Sequence, residues 1–444
     1  MAKAEFNLLQ NEYYQLSNID LTNYHIDFWE IDETISELAY LTHDYFRYYG
    51  KFPSKIGKLI IDDLAKREII NTANDYIYDN YEGSGTSLVE AKLAGFDSIG
   101  SDINPFAVLA SRVKTHCLDN DELMRIWENL KTDISVYISH FKDENSILQF
   151  VPQESILSEI GRIHRNIFLE FNDITKWFAD ETIRDLTIIK FLLLRMENSR
   201  YREFFALAFF AIIRRVSRAH DGEVRPHINK KKKQRDVFEA YLKKVSEMVL
   251  TMKEWNIATS NNVYSNSHIA SNVDEYRVNA ILSNMRQQSN KELGLVISHP
   301  PYLNCFDYIP VYKLKFLWAF GFNEIFGELD YNEIKKSEIK SYPVDGDKLL
   351  NEYFIKNKTA YKIIYNNLRN GGYCCVVIGD CTVKKQLFKV HQVFIRLMED
   401  IGFNVEKIVY RSTHYGLGKY AYDFRADYHN DDEGKKDAII FFRK

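Results

Sequence analysis

The chain reads as an α/β protein. Its expected core is a mostly parallel sheet with helices on both faces, interrupted by an all-helical insertion. Three observations predict this. Short apolar runs alternate with helical patterns over 51–119 and again over 290–444. Strand signals almost vanish over 120–255, where helical periodicity dominates. A glycine turn, Gly83-Ser84-Gly85, separates a strand pattern from a helix pattern, as at the ligand crevice of many α/β proteins.

Taken in order, residues 1–50 are polar and tyrosine-rich, and a helix is predicted near 30–48. Lys51-Phe52-Pro53-Ser54 breaks the pattern, and a helix follows with Ile56, Leu59, Ile60 and Leu64 on one face. Residues 75–80 form a short strand, 88–94 a helix closed by Gly95, and 98–102 a second strand. Pro105 suits the first turn of a helix running to about Lys114. Long helices are predicted at 121–141, 154–170, 181–197, 201–218 and 234–254. An apolar strand at 294–297 runs into Ser298-His299-Pro300-Pro301-Tyr302. Polar residues 325–350 read as a flexible excursion. A helix at 351–369, the turn Asn370-Gly371-Gly372 and a strand at 373–378 come next. A helix at 386–400 and strands at 403–411 and 437–442 complete the chain. The expected organisation is a helical extension (1–50), a first core segment (51–119), the helical insertion (120–255) and a second core segment (256–444).

Bulk composition excludes several classes. Apolar residues make up 45% and charged residues 27% of the 444, which suits a globular protein with a large core. The net charge of -4 excludes a chain that is cationic throughout, so a polyanionic partner needs a local basic surface. The candidate is Lys230-Lys231-Lys232-Lys233, flanked by Arg225 and Arg235. Five cysteines occur with no Cys-x-x-Cys pair, pointing to neither a zinc site nor a disulfide framework and fitting a reducing, cytoplasmic setting. The spacing of His220, Asp221 and His227 matches no metal site. The first residues lack a signal-peptide apolar core, and no run of ~18 apolar residues predicts a membrane span.

The turn after the first strand reads as a nucleoside site. Asp79 ends the strand, and Gly83 and Gly85 permit a tight turn and close backbone approach. The opening amides of the next helix can donate to a carboxylate or hydroxyl. Asp102, at the end of the following strand, can accept from both ribose hydroxyls, with Ile103 and Phe106 placed to pack beside adenine. The spacing is neither the Gly-x-Gly-x-x-Gly of dinucleotide binders nor the Gly-Lys-Ser/Thr of phosphate loops. A nucleoside without a pyrophosphate fits better.

Residues 298–302 read as an acceptor loop. Pro300 and Pro301 each fix φ and remove an N–H, leaving carbonyls free to accept. Tyr302 offers a flat face to a heterocycle. An exocyclic amine is a poor nucleophile because its lone pair is delocalised into the ring. Two acceptors at its N–H groups favour the pyramidal, partly cationic nitrogen of a transfer transition state. The Pro300 carbonyl is one; the side chain before the prolines is the other.

At these residues the chain resembles the amino-methyltransferases of DNA. The family motif Asp-Pro-Phe-x-Gly-Ser-Gly-Thr is matched by Asp79, Asn80, Tyr81, Glu82, Gly83, Ser84, Gly85 and Thr86, with Asn80 in place of Pro and Tyr81 in place of Phe. Asp102-Ile103-Asn104-Pro105 continues the pattern, and Lys51-Phe52-Pro53 resembles the segment over the cofactor's methionine end. Residues 298–302, with Leu303-Asn304 and Asp307-Tyr308, resemble the Ser-Pro-Pro-Tyr loop of the cytosine-N4 branch. The resemblance covers about 50–118 and 290–444. It implies the Rossmann-like class I fold of S-adenosyl-L-methionine-dependent methyltransferases, a doubly wound sheet of seven strands with the last antiparallel. It also implies a DNA N-methyltransferase acting on a flipped cytosine N4, with a restriction nuclease or defence system as the expected partner. His299 stands where the family has Ser, Asp or Asn; a neutral imidazole also accepts one hydrogen bond, and Ser298 is the neighbouring alternative. Adenine-N6, RNA or a protein amide on the same fold, and an inactive nucleic-acid-binding module, are the alternatives. Arg411, His414, Tyr415 and Lys419 are further candidates for facing substrate.

Overall fold

The computed structural model describes residues 10–142, 154–170, 173–259, 263–344, 346–383, 385–411 and 437–444. Ten strands lie among them: β1 (His25–Trp29), β2 (Asp75–Asp79), β3 (Asp97–Asp102), β4 (Ser265–Ile269), β5 (Glu292–Ser298), β6 (Tyr373–Gly379), β7 (Cys381–Val383), β8 (Gln386–Phe388), β9 (Asn404–Arg411) and β10 (Asp437–Arg443). Eight form one sheet in the order β1-β9-β10-β6-β5-β2-β3-β4, and β7 and β8 form a separate hairpin. β10 is antiparallel to both neighbours, β6 and β9. The other pairs in the large sheet are parallel.

The apolar strands are continuous because both faces are covered. In β6, Cys374, Val376 and Ile378 pack with helices Glu275–Ser289, Asp347–Asn367 and Val390–Ile401. The intervening Tyr373, Cys375 and Val377 face the cluster built by helix Ser54–Lys66. That helix buries Ile56, Ile60, Ile61 and Leu64. Leu59, expected in its apolar face, is only partly buried.

Between β3 and β4 run helices Asn120–Lys142, Glu154–Glu170, Asp180–Leu194, Ser199–Val216 and Val237–Ala258. They share a third cluster with helix Pro105–Thr115 and with residues 309–326.

Three expectations are corrected. In place of the helix predicted near 30–48, the chain leaves β1 and forms two short 3-10 turns, Glu37–Ala39 and Leu41–Asp44. Burial decides there: His43 and Tyr40 both bond Glu90, and no continuous apolar helical face competes. β1 adds an eighth strand beside β9. The 325–350 stretch contains helix Tyr331–Ser337, anchored because the buried Glu338 accepts from the Tyr308 and Ile309 amides.

Candidate functional site

Strand order reverses between β2 and β5, which are neighbours although β3 follows β2 in sequence. A crevice at the carboxyl ends of the strands is expected at such a switch point. One is found there, with about 780 Å³ of empty space, part of it open to solvent. Its walls include Tyr81–Ser84 after β2, Asp102–Asn104 after β3, Ala270–Asn272 after β4, and His299 and Pro301 after β5. The glycine turn and the diproline loop therefore share one cavity, although they lie in widely separated parts of the chain.

The turn is shaped by its glycines. Gly83 has φ +50° and Gly85 φ +73°. A Cβ on Gly83 would lie 2.9 Å from the Tyr48 ring, and one on Gly85 would lie 2.9 Å from the Ser111 Cα. Gly83 lines the cavity, whereas Gly85 does not; Gly85 lets helix Pro105–Thr115 approach the turn. That helix holds the turn from beneath. Ser111 donates to the Gly83 carbonyl at 3.3 Å and Lys114 to the Ser84 carbonyl at 2.9 Å.

Asp102 lines the cavity and closes the turn. Its carboxylate accepts from the Gly83 amide (3.0 Å) and the Asn104 amide (2.8 Å). A carboxylate has about four acceptor sites, so capacity remains for a ligand hydroxyl. Deep placement raises its pKa to about 6, against the pull of those amides. Asp79 is fully enclosed at the end of β2, accepts from the Tyr81 amide at 3.0 Å, and lies behind the cavity wall. Burial pushes its pKa up to about 7. Burial likewise raises Glu338 to about 7 and Glu82 well above the carboxylate range. The cavity is thus rich in carboxyl groups, three of which (Glu82, Asp102 and Glu338) line it.

His299 lines the cavity with its ring edge-on to Phe52 and Tyr302, both at 5.1 Å. Ser298 is buried behind the loop, where its hydroxyl meets that of Tyr361 at 2.8 Å. Tyr302 is 8% exposed and packs toward Gly379, outside the cavity lining. Lys51, Phe52, Tyr81, Ser84, Thr86, Ile103 and Asn104 all line the cavity; Pro53 and Pro300 do not. Pro53 precedes helix Ser54–Lys66 as its N-cap residue. Phe106, expected beside adenine, is instead buried among Phe210, Phe316 and Phe326.

Sequence reasoning missed Tyr48, Asn272 and Glu338 as cavity residues. Glu82 carried a signal, its place inside the glycine motif. Glu338 carried none, because a carboxylate in a polar stretch is ordinarily solvated.

The basic run divides. Lys230, Lys231 and Lys233 are exposed. Lys232 turns inward and donates to the Arg214 and Ala219 carbonyls and to Asp221. Arg235 pairs with the same Asp221 at 3.2 Å. Arg225 lies 3.9 Å from Asp307, beside the cavity residue Tyr308. Arg411 is buried and paired with Asp437 at 2.8 Å, not aimed at a ligand. His414, Tyr415 and Lys419 lie outside the described residues.

Among the described residues, no helix is long and apolar enough to cross a membrane. No family model matches the chain. Over 185 residues it is 28% identical to the Type II methyltransferase M.MvaI of Kocuria varians, covering 41% of this chain and 36% of that one. Over 105 residues it is 30% identical to the Type II methyltransferase M.MjaII of Methanocaldococcus jannaschii, covering 24% of this chain and 19% of that one. The matched stretches thus span just over a third of the first relative and just under a fifth of the second. The rRNA methyltransferase aviRa from Streptomyces viridochromogenes aligns over 89% of this chain and 87% of its own, at 8% identity and a TM-score of 0.29, too low to carry an argument. The sheet is mostly parallel with β10 antiparallel within it, and part of the sequence is similar to Type II methyltransferases.

Proposed function

We propose that the chain is an S-adenosyl-L-methionine-dependent DNA methyltransferase that modifies the N4 amine of cytosine within a restriction-modification or defence system. The observation that carries this reading is the shared cavity of glycine turn and diproline loop.

The residues fit the cofactor. The Ser84 and Thr86 hydroxyls are buried at the cavity without a protein partner, suited to a ligand bearing a carboxylate and a ribose. Buried carboxyls favour a cationic ligand. Asp102 would hold the ribose hydroxyls, with Tyr81, Glu82 and Gly83 beside it. Lys51 and Phe52 would cover the amino-acid end, and Ile103, Asn104 and Asn272 the base. The cofactor, when bound, supplies an electrophilic methyl group on a sulfonium sulfur.

The chain's own groups would then grip the acceptor. The Pro300 carbonyl and the His299 imidazole accept from the two N–H groups of the amine, and the imidazole can take the released proton. Phe52 and Tyr302, both packed edge-on to the imidazole, would restrict its rotation. A duplex base must be flipped to reach such a cavity. The exposed Lys230, Lys231 and Lys233, with Arg225, are assigned to backbone phosphates, and residues 120–255 to target recognition.

The test is nucleoside analysis of DNA from cells expressing the wild type and His299→Ala. N4-methylcytosine from the wild type alone is expected. N6-methyladenine in its place, or label confined to RNA or protein, would overturn the cytosine reading.

A further inference from the structure

Helix Asp347–Asn367 touches both halves of the candidate site. Tyr353, Asn357 and Tyr361 stand four residues apart on it, and so share one face. All three are fully buried. The Tyr353 hydroxyl donates to the Pro301 carbonyl at 2.7 Å. The Asn357 side-chain carbonyl accepts from the Tyr81 hydroxyl at 3.0 Å. The Asn357 amide donates to the Tyr353 carbonyl at 2.9 Å, which orients the side chain toward Tyr81. The Tyr361 hydroxyl meets Ser298 Oγ at 2.8 Å. One helix face therefore holds the end of β5, the diproline loop and the residue that opens the cofactor turn.

We propose that Tyr353, Asn357 and Tyr361 are positioning residues, which set the distance and angle between the diproline loop and the glycine turn. The proposal rests on the methyl-transfer reading above. In-line transfer needs the reacting atoms ~3–3.5 Å apart, and a misplacement of about 1 Å can cost ~100-fold in rate. Pro300 and Pro301 have no N–H, so these two residues can be tethered through their backbone only at the carbonyls. Tyr353 takes the Pro301 carbonyl. In the methyl-transfer reading, the Pro300 carbonyl is the one assigned to the amine. Asn357, one turn on, fixes Tyr81 to the same face. The two loops are thus referenced to one rigid element rather than to each other.

The test uses the full chain, tritiated S-adenosyl-L-methionine and genomic DNA from a methylation-deficient bacterium. Tyr353→Phe keeps the ring, and with it the edge contacts to Phe354 and Phe394, while deleting the tether. Asn357→Ala deletes the second tether and Tyr361→Phe the third. The expected result is a single-turnover transfer rate lowered roughly 10- to 100-fold. Cofactor and DNA affinities should stay near wild type, with melting temperature lowered only by the loss of one buried hydrogen bond. Unchanged rates in Tyr353→Phe and Asn357→Ala would overturn the proposal. So would rate, affinity and melting temperature falling together, since packing alone would then explain the helix. Should Asn357→Ala not fold, Tyr81→Phe removes the same bond from the other side. A wild type that binds cofactor but labels no DNA defeats the DNA reading instead. One that also labels no RNA or protein takes the positioning proposal with it.

Discussion

Asp102 and Gly85 sit in one motif and do different work. Asp102 has both carboxylate oxygens on backbone amides yet faces the cavity. Asp102→Asn should weaken cofactor binding roughly 10- to 100-fold, the range for a hydrogen bond to a charged group, as read by calorimetry. Gly85 faces the helix behind the turn. Gly85→Ala would force a Cβ to 2.9 Å from the Ser111 backbone at a φ that disfavours alanine. It should lower stability by about 2 kcal/mol or more in urea unfolding. A glycine turn is legible in a sequence. Which glycine lines the cavity and which meets a helix is not, because that depends on what packs behind.

At the scale of elements, the 220–236 loop separates two roles within four lysines. Lys232 is engaged by two carbonyls and Asp221 and acts as an internal staple. Lys230, Lys231 and Lys233 point outward. Replacing those three by alanine should leave melting temperature unchanged. It should also flatten the salt dependence of DNA binding, by ~0.9 in log–log slope for each phosphate no longer neutralised. Lys232→Ala should do the reverse, lowering stability with little change in slope. An unchanged salt slope in the triple variant would remove this loop from the DNA interface. The core strands were legible because runs such as 373–378 are apolar on both faces. β4, with the sequence Ser-Asn-Ser-His-Ile, was not. It is a polar edge strand that forms because it can extend a sheet already present, by pairing with β3.

For the molecule as a whole, the buried carboxyls couple stability, pH and ligand. Asp102 titrates at about 6, and Asp79 and Glu338 at about 7, each above the ordinary carboxylate range. A folded-state pKa raised in this way means the folded chain holds protons that the unfolded chain releases. Their stabilising contribution is full below about pH 4 and is lost as pH rises through 6–7. Without cofactor, this contribution to the melting temperature should fall between pH 5 and 8. The cationic cofactor should offset that loss, so its thermal shift should be larger at pH 8 than at pH 5, and binding should release protons at pH 6–7. Proton uptake on binding, measured by calorimetry in buffers of different ionisation enthalpy, would contradict the placement of Asp102 and Glu338 beside a cation.

The sequence by itself determined the strand–helix alternation, the order of core strands along the chain and the two loops proposed to carry chemistry. All of these are local patterns of period, turn chemistry and side-chain type. Tertiary structure alone decided that β2 and β5 are neighbours, which brings the two loops to one cavity. It also buried Ser298 and Tyr302 behind the wall, brought Glu338 to the cavity from a polar stretch, and set Tyr353 and Asn357 against both loops. The reason is that these outcomes depend on pairing and burial between segments far apart in the chain, and no local window of residues contains that information.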